Sequence, residues 1–132
     1  MTRSLLIPPA VALLLAVAGA CSPSSPVSAE TDTASYHVQL DLDSASLGRR
    51  TASIEVTDSG GRPVDARRVV VSTAMPEMDM SGPTVVADEL RPGRYNARGD
   101  LFTMLGEATL TVRIQAGGAG EETATFAVEA ES

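Results

Sequence analysis

The sequence predicts an all-β fold, an immunoglobulin-like antiparallel β-sandwich of seven or eight short strands. Three observations predict it. From Ser35 onward apolar residues recur with a period of two rather than 3.6. Clusters of Gly, Pro, Asp and Ser punctuate the alternating stretches at short intervals. No window carries the apolar stripe of an amphipathic helix. With a single Cys and no Trp, the sandwich is not of the disulfide-pinned antibody type.

The elements follow in order. Tyr36, Val38, Leu40 and Leu42 alternate with His37, Gln39, Asp41 and Asp43 in a half-buried first strand. Ala52, Ile54 and Val56 repeat the pattern in a second, and Asp58-Ser59-Gly60-Gly61-Arg62-Pro63 turns the chain. Residues 67–74 (RRVVVSTA) form a β-branched third strand and residues 84–90 a fourth. Arg91-Pro92-Gly93-Arg94 fits a type II turn, in which Pro presets φ at the second position and Gly supplies a positive φ at the third. Residues 95–98 and 102–104 are short strands, 107–116 a long alternating one, and 123–128 the last. The core rests on Val, Leu and Ile together with Tyr36, Tyr95, Phe102 and Phe126.

The N-terminus reads as an export signal. Arg3 is the positive head, Leu5 to Val17 the apolar stretch, and Ala18-Gly19-Ala20 the small residues before a cleavage point. The apolar run stops short of the ~20 residues that a membrane-spanning helix needs and contains Pro8-Pro9. Val17-Ala18-Gly19-Ala20-Cys21 resembles a bacterial lipobox, in which the Cys sulfur is lipidated and the chain cut before it. The alternative is an ordinary signal peptide that leaves a free thiol at Cys21. Residues 1–20 are thus expected to be a lipoprotein signal peptide, 21–34 a lipidated Cys and flexible tether, and 35–132 the β-sandwich domain. Acyl chains on Cys21 would hold the domain stably on the extracytoplasmic face of the cell membrane.

Composition excludes much chemistry. The 132-residue chain carries ten basic side chains, all Arg, against seventeen acidic ones. Loss of residues 1–20 removes Arg3 and leaves a net charge of −8. That balance speaks against nucleic-acid binding, which relies on clustered Lys and Arg. One His and one Cys cannot build a structural zinc site. No nucleophile–base pair can be assembled, so no enzymatic activity is expected.

What remains is sulfur. Three Met fall within Met75-Pro76-Glu77-Met78-Asp79-Met80, in what reads as an exposed or semi-exposed connection between the third and fourth strands. Thioethers are soft, neutral ligands that favour Cu(I) and need no deprotonation. On an extended segment Met78 and Met80 would point to one side, a bend at Pro76 would bring in Met75, and Met104 would either add a fourth sulfur or simply pack. Met75 and Met78 could equally fill core gaps, or the cluster could form an adaptable apolar contact patch. His37, Asp41, Asp43 and Glu55 read as a solvated sheet face rather than a metal site.

The ordered features resemble the YtkA-like domain family, related to FixH-like proteins. The resemblance spans residues 36 to 115. It rests on the strand and turn of residues 52–64 (ASIEVTDSGGRPV), Met75-Pro76-Glu77-Met78 with Met80, Pro92-Gly93-Arg94-Tyr95, and residues 102–108 (FTMLGEA). It implies an immunoglobulin-like extracytoplasmic domain, lipid-anchored or fused to membrane segments, associated with copper handling or respiratory oxidase assembly. It also implies a membrane copper transporter or an oxidase-assembly protein as partner. Relatives often carry His beside the Met box, where this chain has Asp79, Ser81 and Gly82. That departure leaves Cu(I) on Met75, Met78, Met80 and Met104, or else an interaction module that binds no metal and supports a membrane complex.

Overall fold

A computed structural model describes residues 26–117 and 120–131. The expected signal peptide, Cys21 and the start of the tether lie outside them. Nine strands run in the order β1 (Val27–Asp32), β2 (Tyr36–Leu42), β3 (Gly48–Asp58), β4 (Arg68–Met75), β5 (Met80–Val86), β6 (Asp88–Arg91), β7 (Arg94–Phe102), β8 (Gly106–Ala116) and β9 (Gly120–Ala130). One 3-10 turn, Pro76–Met78, lies between β4 and β5. The strands form a five-stranded sheet, β1-β2-β3-β7-β6, and a four-stranded sheet, β5-β4-β8-β9. Every strand pairing is antiparallel. The expected sandwich is therefore the observed one, with nine strands instead of seven or eight.

The period-two pattern becomes the interior. Val38, Leu40 and Leu42 of β2, Ala52, Ile54 and Val56 of β3, and Tyr95 and Ala97 of β7 face the sandwich from one sheet. Val69 and Val71 of β4, Leu110, Val112 and Ile114 of β8, and Phe126 and Val128 of β9 face it from the other. The Tyr95 hydroxyl is buried with its ring and keeps both hydrogen-bonding roles, accepting from Ala66 N–H (2.7 Å) and donating to the Val64 carbonyl (2.8 Å). It thereby pins the β3–β4 connection to the core.

Three expectations are corrected. Residues 27–32 belong to no tether: they form edge strand β1, paired along its length with β2 from Val27↔Leu42 to Asp32↔His37. Val27, Ala29 and Thr31 tuck half-buried toward the core while Ser28, Glu30 and Asp32 face out. Residues 84–90 are not one strand, because the chain crosses between sheets at Ala87, whose N–H donates to the Val69 carbonyl (2.8 Å). Residues 95–98 and 102–104 are not two strands, because β7 runs unbroken through Gly99 to Phe102. A Cβ at Gly99 would lie 3.0 Å from Val85 Cγ2, so Gly there admits β5 rather than turning the chain.

At the expected type II turn, β6 and β7 join through Pro92-Gly93, with Gly93 at φ +87°. Its carbonyl accepts from Val56 N–H (2.9 Å), and a Cβ there would meet Pro63 Cβ at 2.6 Å. Glycine is required at that position both for its φ and for the close approach.

Candidate functional site

The methionine segment closes the β4–β5 hairpin at one pole of the sandwich. Met75 is the last residue of β4 and is buried (9% exposed), while Met80, the first of β5, faces it across the ladder. Pro76 opens the 3-10 turn, where its missing N–H costs nothing. Asp79 closes the turn in the left-handed conformation (φ 53°, ψ 42°), its N–H bonded to the Pro76 carbonyl at 3.1 Å. Asp tolerates that conformation better than a branched residue would. The reversal at Asp79 undoes the expectation that Met78 and Met80 share one side of an extended segment.

Met75, Met80 and Met104 line a single pocket of about 20 Å³ together with Thr73, Phe102 and Ala108. Met78 is not part of that lining; it stands half-exposed (48%) on the outer side of the turn. A space of this size holds one water-sized occupant and no organic substrate. Met104 reaches the pocket from the β7–β8 connection. Three of the four expected methionines thus line one pocket, and the fourth does not.

Two residues that sequence reasoning passed over hold the pocket in shape. The Thr73 side chain is buried, and its hydroxyl donates to the Leu101 carbonyl at 2.7 Å, tying β4 to β7 across the two sheets. Gly82 of β5 lets that hydroxyl in: a Cβ there would stand 2.5 Å from Thr73 Oγ1 and 3.0 Å from the Thr73 carbonyl oxygen. The β4–β5 register shifts between Ser72 and Ala74, beside this contact. A Gly inside a strand marks such an approach, but Ser81-Gly82-Pro83 reads as a loop in the sequence.

The lining offers three methionine thioethers beside the hydroxyl side chains of Thr73, Ser81 and Thr103. Thr73 spends its proton on Leu101, and the carboxylates Glu77 and Asp79 stand exposed on the turn outside the pocket. Thioether sulfur without imidazole or thiolate is the donor chemistry that favours Cu(I) over Cu(II) or Zn²⁺. Among the described residues, no group of three or more His, Cys, Asp or Glu is arranged to hold a metal.

The acids of the outer sheet face have other partners. Asp41 accepts from the Ser28 hydroxyl (2.6 Å), Asp43 from the N–H groups of Ser44 and Thr51, and Glu55 lies 3.6 Å from Arg94. His37 Nδ1 contacts Asp32 at 2.6 Å and its Nε2 lies 3.4 Å from Glu30. The Asp32 hydrogen bond raises the imidazole above its ordinary pKa; desolvation opposes it, and the charges of Asp32, Glu30 and Glu55 add to it. No helix among the described residues is long and apolar enough to cross a membrane.

No protein-family model matches the chain, and no curated protein matches it. Among solved structures it is similar to a DUF4785 family protein from Legionella pneumophila, with a TM-score of 0.51 at 13% identity. The match covers 72% of this chain and 28% of that one, so this chain spans well under a third of that protein. At such identity the likeness is one of fold.

Proposed function

We propose that the protein is a membrane-anchored, extracytoplasmic lipoprotein of the YtkA-like kind that binds Cu(I) as cargo. It buffers the ion beside a membrane copper transporter or an oxidase-assembly protein, or passes it on. The observation that carries this reading is that Met75, Met80 and Met104 together line one small pocket of about 20 Å³. Thioethers bind a soft monovalent cation without losing a proton, which suits an extracytoplasmic compartment of varying pH. Met78 stands outside the pocket and is not among its ligands in this reading.

Anaerobic titration of residues 26–132 with Cu(I) against a competing chelator tests the reading. One site is expected, lost on changing Met75, Met80 and Met104 together to Leu, and of unchanged affinity from mildly acidic to neutral pH. Absence of binding, or binding indifferent to those changes, would sink it.

A second reading has its own observation. Met78, Met80, Met104 and Leu105 are all exposed at this pole, as in a contact surface of an interaction module that binds no metal. Leu substitutions keep apolar area and delete sulfur, so a partner contact that survives them without copper favours this second reading.

A further inference from the structure

Seven large apolar side chains are exposed among the described residues, and five of them, Leu47, Met78, Met80, Met104 and Leu105, gather at one pole. The pairings put them there: Gly48 faces Phe102, Met75 faces Met80, Gly106 faces Ala130, and Leu47 N–H donates to the Glu131 carbonyl. The chain enters the fold at the same pole, because Val27 at the start of β1 pairs with Leu42 at the end of β2. Cys21 precedes Val27 by six residues, a reach of at most about 20 Å. A domain so held meets the membrane pole first.

Charge narrows the choice of what covers that surface. Glu77, Asp79, Glu107 and Glu131 stand exposed around the five apolar side chains. Of the neighbouring cations, half-buried Arg50 donates to Ser44 Oγ (2.7 Å), and Arg49 and Arg98 open on a separate groove with Val86 and Leu90. Anionic headgroups repel a rim of carboxylates, whereas a protein surface edged by cations complements it. We propose that this pole docks on the extracytoplasmic side of an integral membrane protein. The partner offers an apolar patch edged with Lys or Arg, and docking covers the methionine pocket. The inference rests on the anchored reading above.

Photo-cross-linking in cells of the source organism tests it on the full chain, with a benzophenone amino acid placed at Leu47, at Leu105 or, at the opposite pole, at Ser59. The expected result is a discrete product from positions 47 and 105 and none from 59. Its cross-linked peptide should be a Lys- or Arg-bearing extracytoplasmic segment of an integral membrane protein. Glu77→Lys with Glu107→Lys, both on exposed side chains, should lower the yield roughly tenfold through like-charge contact while leaving the melting temperature in place. Cross-links to lipid alone, equal labelling from Ser59, or a yield indifferent to charge reversal would overturn the proposal. The mass of the N-terminal peptide decides the anchor separately: a Cys21 without acyl chains refutes the anchored reading, whatever the cross-link map says about docking.

Discussion

His37 joins β1 to β2 through Asp32 and Glu30, and protonation strengthens both contacts. With its pKa raised in the fold, its contribution to stability is complete below the unfolded-state pKa and fades as pH rises through the folded value. An NMR titration should find His37 above the ordinary imidazole range, and Asp32→Asn should bring it down. The sign is opposite at Asp58, whose carboxylate accepts from the N–H groups of Arg62 and Gly60 and is held below its ordinary pKa. Its contribution is present above the unfolded value and is lost as pH falls through the folded one. Deeper in the fold, Tyr95→Phe strands the buried Ala66 N–H and the half-buried Val64 carbonyl. Urea unfolding should show a loss of about 1–3 kcal/mol. Gly82→Ala drives a methyl onto Thr73 Oγ1, and a loss of about 1–3 kcal/mol is expected from such overpacking. The same substitution should weaken ion binding in the pocket.

At the scale of elements, alternation in the sequence marks β2, β3 and β8, a β-branched run marks β4, and residues 123–128 mark part of β9, because each buries one face against the opposite sheet. β1 escaped that reading for a physical reason: its inward residues, Val27, Ala29 and Thr31, are small and only half-buried, and it has a neighbour on one side only. A chain beginning at residue 35 leaves β2 as a bare edge, whereas one beginning at residue 26 keeps β1. The shorter chain is expected to unfold at lower urea with a smaller m-value, since less surface is buried in its fold. The break at Ala87 was equally invisible, because residues 84–90 are uniformly extended and what changes there is the sheet to which they bond. The Pro92-Gly93 turn was legible because its chemistry is local. Gly93→Ala, which meets both the positive φ and Pro63, should cost about 2 kcal/mol.

For the whole molecule, the decisive placement is one that no local pattern encodes. Met75 and Met80 are brought together by a hairpin, but Met104 reaches them only because β7 and β4, in different sheets, end at the same pole. Chain order groups Met78 with Met75 and Met80; in the fold Met104 lines the pocket with Met75 and Met80, and the left-handed Asp79 leaves Met78 outside it. If the pocket takes the ion, binding stabilises the fold by mass action, so excess Cu(I) should raise the melting temperature and Met→Leu changes should abolish the rise. The most direct measurement follows the methyl groups of Met75, Met78, Met80 and Met104 by NMR in residues 26–132 as Cu(I) is added anaerobically. The account predicts that the Met75, Met80 and Met104 signals move together and saturate at one equivalent, while Met78 moves least. Unmoved methyls, or a shift led by Met78 with Met75 unchanged, would contradict it.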